Sequence, residues 1–154
     1  MKKALTGRAE DYLRAIYDIV KAKRYARIRD IARELGVKPP SVVKMMKKLH
    51  QMGLVMYEKY GVVTLTPQGE DIARVITRRH EMFKKFLEII LVPKEIALRD
   101  SHILEHQLHP KTVLQFMRFV EFFTNAPEHP KFVSRWLEQF KKYCEEKERQ
   151  CMDS

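Results

Sequence analysis

From residue 8 to residue 23 the apolar side chains recur at three- and four-residue spacing, at Tyr12, Ala15, Ile16, Ile19 and Val20, which predicts an amphipathic helix with one face turned inward. A shorter stripe of Ile28, Ile31, Ala32 and Leu35 follows. It is closed by Gly36, which accepts the left-handed backbone of a helix end, with Val37 folding back onto it. Pro39 and Pro40 carry no amide hydrogen, so they fit only the first turn of a third helix. The apolar positions of that helix, Val42, Val43, Met46, Leu49 and Met52, run up to Gly53. Two β-like runs, residues 54–59 and 62–66, are joined by Tyr60-Gly61, and Pro67 ends the second, which predicts a hairpin. Helix, helix, turn, helix, hairpin is the order of a winged helix-turn-helix.

The second half is helical throughout. Ile72, Val75, Ile76, Phe83, Phe86, Leu87 and Ile90 predict a long helix from Gly69 to about Leu91, stopped by Pro93. A shorter helix is expected around residues 100–108. Residues 111–124 are apolar nearly all the way round, with Phe116, Phe119, Phe122 and Phe123 among them, so this helix has to be covered on several sides. The last helix, about 130–148, carries Phe132, Val133, Trp136, Leu137, Phe140 and Tyr143. Some 75 residues are a thin supply of core for both, and a homodimer interface is the economical answer. The fold expected is mainly α: a winged helix-turn-helix with a small β-hairpin wing over residues 1–73, an all-helical dimerisation domain over 74–148, and a frayed tail over 149–154.

Charge gives the first half a partner. The 154 residues hold 30 Lys plus Arg against 20 Asp plus Glu, a net +10, and residues 1–73 alone hold 15 basic and 8 acidic side chains. An excess of +7 on a winged helix suits double-stranded DNA. In that arrangement the N-terminal part of the third helix meets base edges in the major groove and the hairpin meets phosphates. Ser41 and Lys44 are the candidates for base contacts, with Pro40 beside them, and Lys38, Lys47, Lys48, Lys59 and Tyr60 for the backbone. On an arbitrary helix such lysines would be a solvated face; following a helix-turn-helix they read as a binding face. No apolar run approaches the roughly 18 residues that span a bilayer, which argues against a membrane partner and for the cytoplasm. Cys144 and Cys151 match no zinc or redox spacing and are expected to be reduced.

Candidate chemistry sits on the short helix. His102, Glu105 and His106 fall at i, i+3 and i+4, so their side chains project from one face within reach of one divalent transition-metal ion. The same residues spell H-x-x-E-H, the motif of inverted zinc peptidases with Glu105 as general base. Only 48 residues follow His106, too few for the further ligand and substrate chamber such an enzyme needs, so neither catalysis nor a small organic substrate is expected. A winged-helix regulator without metal control is the other alternative.

In order along the chain, EDYLRAIYDI, RDIARELGVKPPSVVKMMKKL, YEKYGVVTLTPQGE, RRHEMFKKFL and DSHILEHQL resemble the diphtheria-toxin-repressor family, which includes the manganese-transport repressors. The resemblance is strong over about residues 7–109 and looser beyond. It implies a dimer that binds operator DNA when loaded with Mn(II) or Fe(II), with Co(II) or Zn(II) as further candidates, and that represses metal-uptake genes. It also implies the ligands: Asp11 at the family's N-terminal ligand position, His80 at a shared histidine of the long helix, Glu105 and His106 at the shared pair, and His102 where the family has glutamate or cysteine. Arg14, Lys84 and Leu98 depart from other ligand positions, so one site from Asp11, His102, Glu105 and His106, with His80 beside it, is the expectation. The family's additional C-terminal SH3-like domain is expected to be absent, as in the manganese branch.

Overall fold

The structure is a computed structural model that describes residues 5–58, 61–125 and 130–152. Its elements are α1 (Gly7–Lys23), β1 (Ala26–Arg27), α2 (Ile28–Glu34), α3 (Pro39–Gln51), β2 (Val55–Tyr57), β3 (Val62–Leu65), α4 (Pro67–Ile89), α5 (Lys94–Gln107), α6 (Pro110–Asn125) and α7 (Pro130–Met152). Two compact units divide the chain, Met1–Arg78 and Arg79–Ser154, and the division falls inside α4.

In the first unit α1 begins at Thr6, whose hydroxyl accepts the amide of Ala9 at 3.4 Å. Its inward face buries Tyr12, Leu13 and Ile16. The helix-turn-helix is made by Gly36 at φ 61°, which lets the amide of Val37 turn back to the carbonyl of Ala32 at 2.9 Å. Pro39 and Pro40 then hold the first two positions of α3, as their missing amides require. Val42, Met46 and Leu49 of α3 are fully buried against Leu13, Ile16, Ile31 and Val55 in one core, which also takes in Ala73 and Ile76 from the start of α4. Lys44, Lys47 and Lys48 stay exposed on the other face.

The wing is a three-stranded antiparallel sheet in the order β1-β3-β2. Val55 pairs with Leu65 and Tyr57 with Val63 in the hairpin, and Ala26 pairs with Val63 on the outer side of β3. The hairpin agrees with the pattern of alternation; β1 adds a strand to it.

In the second unit Met82 and Phe83 of α4 pack with Val113 and Val120 of α6, and Leu104, Phe116 and Met117 close over them. This core is small. Leu114, Phe119 and Phe122 of α6 and Trp136 and Tyr143 of α7 remain exposed, and Phe86, Phe116, Phe119 and Phe122 line an open apolar groove of about 680 Å³ with Arg118 at its edge. An aromatic series runs from Phe119 through Phe123 at 4.5 Å to Trp136 at 5.8 Å and Phe140 at 6.3 Å between ring centroids.

Several boundaries differ from the expected ones. The short helix starts at Lys94 rather than near residue 100, and α7 continues to Met152, through the segment expected to fray. The side chain of Phe132 and residues Lys59 and Tyr60 lie outside the described part. Among the described residues no helix is long and apolar enough to cross a membrane.

Candidate metal centre and nucleic-acid interface

α5 is entered through Pro93, whose carbonyl accepts the amide of Ala97 at 2.8 Å, and ends in extended backbone at Leu108 before Pro110. Fourteen unbroken residues put His102, Glu105 and His106 on one face. The side chain of Glu105 is fully buried, and its two oxygens have different neighbours. Oε1 lies 3.5 Å from Nδ1 of His102 and 3.2 Å from Nε2 of His106. Oε2 lies 3.2 Å from Nδ1 of His80, which reaches it from α4 and is itself buried. The two rings of α5 stand edge to face with centroids 4.9 Å apart.

These groups fit a first-row divalent ion. Bonds of about 2.0–2.2 Å from such an ion to imidazole nitrogen and carboxylate oxygen place neighbouring donors roughly 3.0–3.5 Å apart in octahedral or tetrahedral geometry. His102, Glu105 and His106 each offer one ligand atom, all within 4.8 Å of one another. The imidazoles that face Glu105 are groups an ion can draw out of hydrogen bonding and take as ligands, with loss of any proton they carry.

The remaining expected ligand, Asp11, stands half-buried on α1 in the first unit. Among the departures from the family pattern, Lys84 is 3.9 Å from Glu81, Arg14 is half-buried on α1, and Leu98 is exposed. His109 caps α6, its Nδ1 accepting the amide of Lys111 at 3.2 Å.

The expected DNA face is the outer side of α3. Lys38 is the N-cap residue and is exposed, as are Pro40, Lys44, Lys47 and Lys48, while Ser41 is half-buried in the first turn. Lys59 and Tyr60 of the wing lie outside the described residues. The structure adds exposed cations that the hydrophobic pattern did not single out: Arg27 on β1, over the ring of Tyr25 at 5.5 Å, and Arg29 at the start of α2. Their signal was the basic run 21–29, which holds five Lys or Arg and no acid.

Comparisons with known proteins agree along most of the chain. Residues 4–63 match the family described as iron dependent repressor, N-terminal DNA binding domain, and residues 66–132 match iron dependent repressor, metal binding and dimerisation domain. Among curated proteins the chain is similar to the HTH-type transcriptional regulators MntR of Listeria welshimeri and Bacillus pumilus, 38% and 39% identical over 123 residues, which is 80% of this chain and 87% and 85% of theirs. Among solved structures it is similar to IdeR of T. acidophilum and to the manganese regulator SloR, each with a TM-score of 0.64 at 28% identity over 76% and 74% of this chain. Those two chains are longer, and this one spans 55% and 54% of them. Both matched families are described as repressor domains, and the peptidase reading of H-x-x-E-H finds no counterpart in them.

Proposed function

This chain belongs to the diphtheria-toxin-repressor family of metal-dependent transcriptional regulators, and on that premise we propose that it is a homodimeric, cytoplasmic repressor of metal-uptake genes whose operator binding is switched by a divalent transition-metal ion. The observation that carries the reading is the buried carboxylate of Glu105 ringed by three imidazoles on α4 and α5. Glu105, His102 and His106 would hold the ion, with His80 on the opposite oxygen of the same carboxylate and Asp11 as the ligand supplied by α1. When bound, the ion supplies positive charge and fixed bond directions, which hold its ligands in one arrangement.

The chain's own residues do the rest. Ser41 and Lys44, in the first half of α3, are placed to meet base edges, with Pro40 shaping the entry of the helix. Lys38, Lys47 and Lys48, together with Lys59 and Tyr60 of the wing, supply phosphate contacts whose strength falls with salt. The exposed aromatics of α6 and α7 supply the face that a second copy covers. In such a dimer two recognition helices have to lie about 34 Å apart to enter successive major grooves. An ion bound by Asp11 of the first unit and by α5 of the second favours one spacing of the two helices over others, and DNA selects that population.

The test is DNA binding by fluorescence anisotropy at fixed salt, in chelator and then with Mn(II), Fe(II), Co(II) or Zn(II), beside His106→Ala. Metal is expected to raise affinity by at least about tenfold, within the usual range of allosteric coupling, and the variant to lose that gain. Equal affinity in chelator and metal would leave a DNA-binding protein without metal control.

A further inference from the structure

We infer that His102 makes this centre discriminate against Mn(II) in favour of Zn(II) and Co(II), an inference that rests on reading the Glu105 cluster as the metal centre. The donors gathered in the second unit are three imidazoles and one carboxylate: His102 and His106 at Oε1 of Glu105, and His80 at Oε2. The nearby acid of α5, Asp100, is engaged with Arg99 at 3.3 Å, and Glu95 stands exposed in the first turn. Whether His80 binds the ion itself or holds Glu105 in position, nitrogen therefore outnumbers carboxylate oxygen here. Imidazole suits zinc, iron and nickel, whereas Mn(II) is best served by carboxylate, carbonyl and water, and Mn(II) stands lowest in the general affinity order of first-row ions.

His102 is the member of this set whose side chain can change without disturbing the fold. Its side chain is 45% exposed, against 18% for His106, 5% for His80 and none for Glu105. A carboxylate at 102 would sit on the same helical face one turn before His106, still within reach of the ion at Oε1, and would convert the α5 pair from two imidazoles to one imidazole and one carboxylate. The residue at 102 thus sets the donor balance, while the three more buried groups set the place.

The experiment is calorimetric titration of the full-length protein with Zn(II), Co(II) and Mn(II) separately, for wild type, His102→Glu and His102→Ala, with the visible absorption of the Co(II) form recorded for each. The folding of the apo variants is checked by circular dichroism. The ratio of Zn(II) to Mn(II) affinity is expected to fall by at least about tenfold in His102→Glu, with a changed Co(II) spectrum, and His102→Ala to weaken Zn(II) more than Mn(II). An unchanged ratio in His102→Glu, or equal losses for both ions in His102→Ala, would overturn the inference while leaving the metal centre in place. Failure of every ion to bind the wild type would instead remove the metal-centre reading on which it rests.

Discussion

Gly69, in the first turn of α4, is buried against the backbone of Leu54, and a Cβ there would overlap the Leu54 carbonyl. The hydroxyl of Thr66 accepts the amide of Gly69 at 3.0 Å and donates to the carbonyl of Gly53 at 2.7 Å, pinning the end of α3 to the start of α4. Backbone cannot step aside as a flexible side chain can, so Gly69→Ala is expected to cost about 1–3 kcal/mol or more, read as a lowered midpoint in urea with an unchanged slope. Nothing in the sequence announces this glycine, because the constraint comes from a neighbour fifteen positions earlier rather than from its own place in a helix. The metal-centre residues divide in the same way. His102, Glu105 and His106 were legible because i, i+3, i+4 spacing on any helix brings side chains together. His80 could be placed only through the family resemblance, since its approach to Oε2 depends on how α4 packs with α5, which spacing does not encode.

Among the elements, α3 is the one whose pattern and structure coincide most closely: Val42, Met46 and Leu49 inside, Lys44, Lys47 and Lys48 outside, with the prolines in the first turn. That separation makes its two faces independently testable. Lys47→Ala should weaken DNA binding about equally for all sequences and lower the dependence of log affinity on log salt by about 1, because one phosphate contact is lost. Ser41→Ala should instead reduce the preference for operator over random DNA. Equal effects of both variants on operator and random DNA would move base reading away from the first turn of α3. β1 escaped the pattern because two residues in a basic link give no alternation to detect. The start of α5 escaped it because Ile96, Leu98 and Ile103 are exposed and make no single apolar stripe. The division inside α4 was equally hidden: its apolar positions continue without interruption from Ala73 and Ile76 in one core to Met82 and Phe83 in the other.

For the whole molecule, the charge distribution and the two chemistries are legible in the sequence: a +7 half with a helix-turn-helix, and a second half rich in histidines and aromatics. The coupling between them is not, because it is a property of populations rather than of a residue pattern. It has a thermodynamic signature nonetheless. If metal raises DNA affinity by some factor, DNA must raise metal affinity by the same factor. The measurement that tests this most directly is the affinity of the dimer for one activating ion, determined by titration with and without saturating operator DNA at fixed salt and pH. The account predicts an increase of at least about tenfold on DNA, equal to the metal-dependent gain in DNA affinity measured independently. Metal affinity that is the same with and without DNA would contradict it, because the ion would then have no means of controlling the operator.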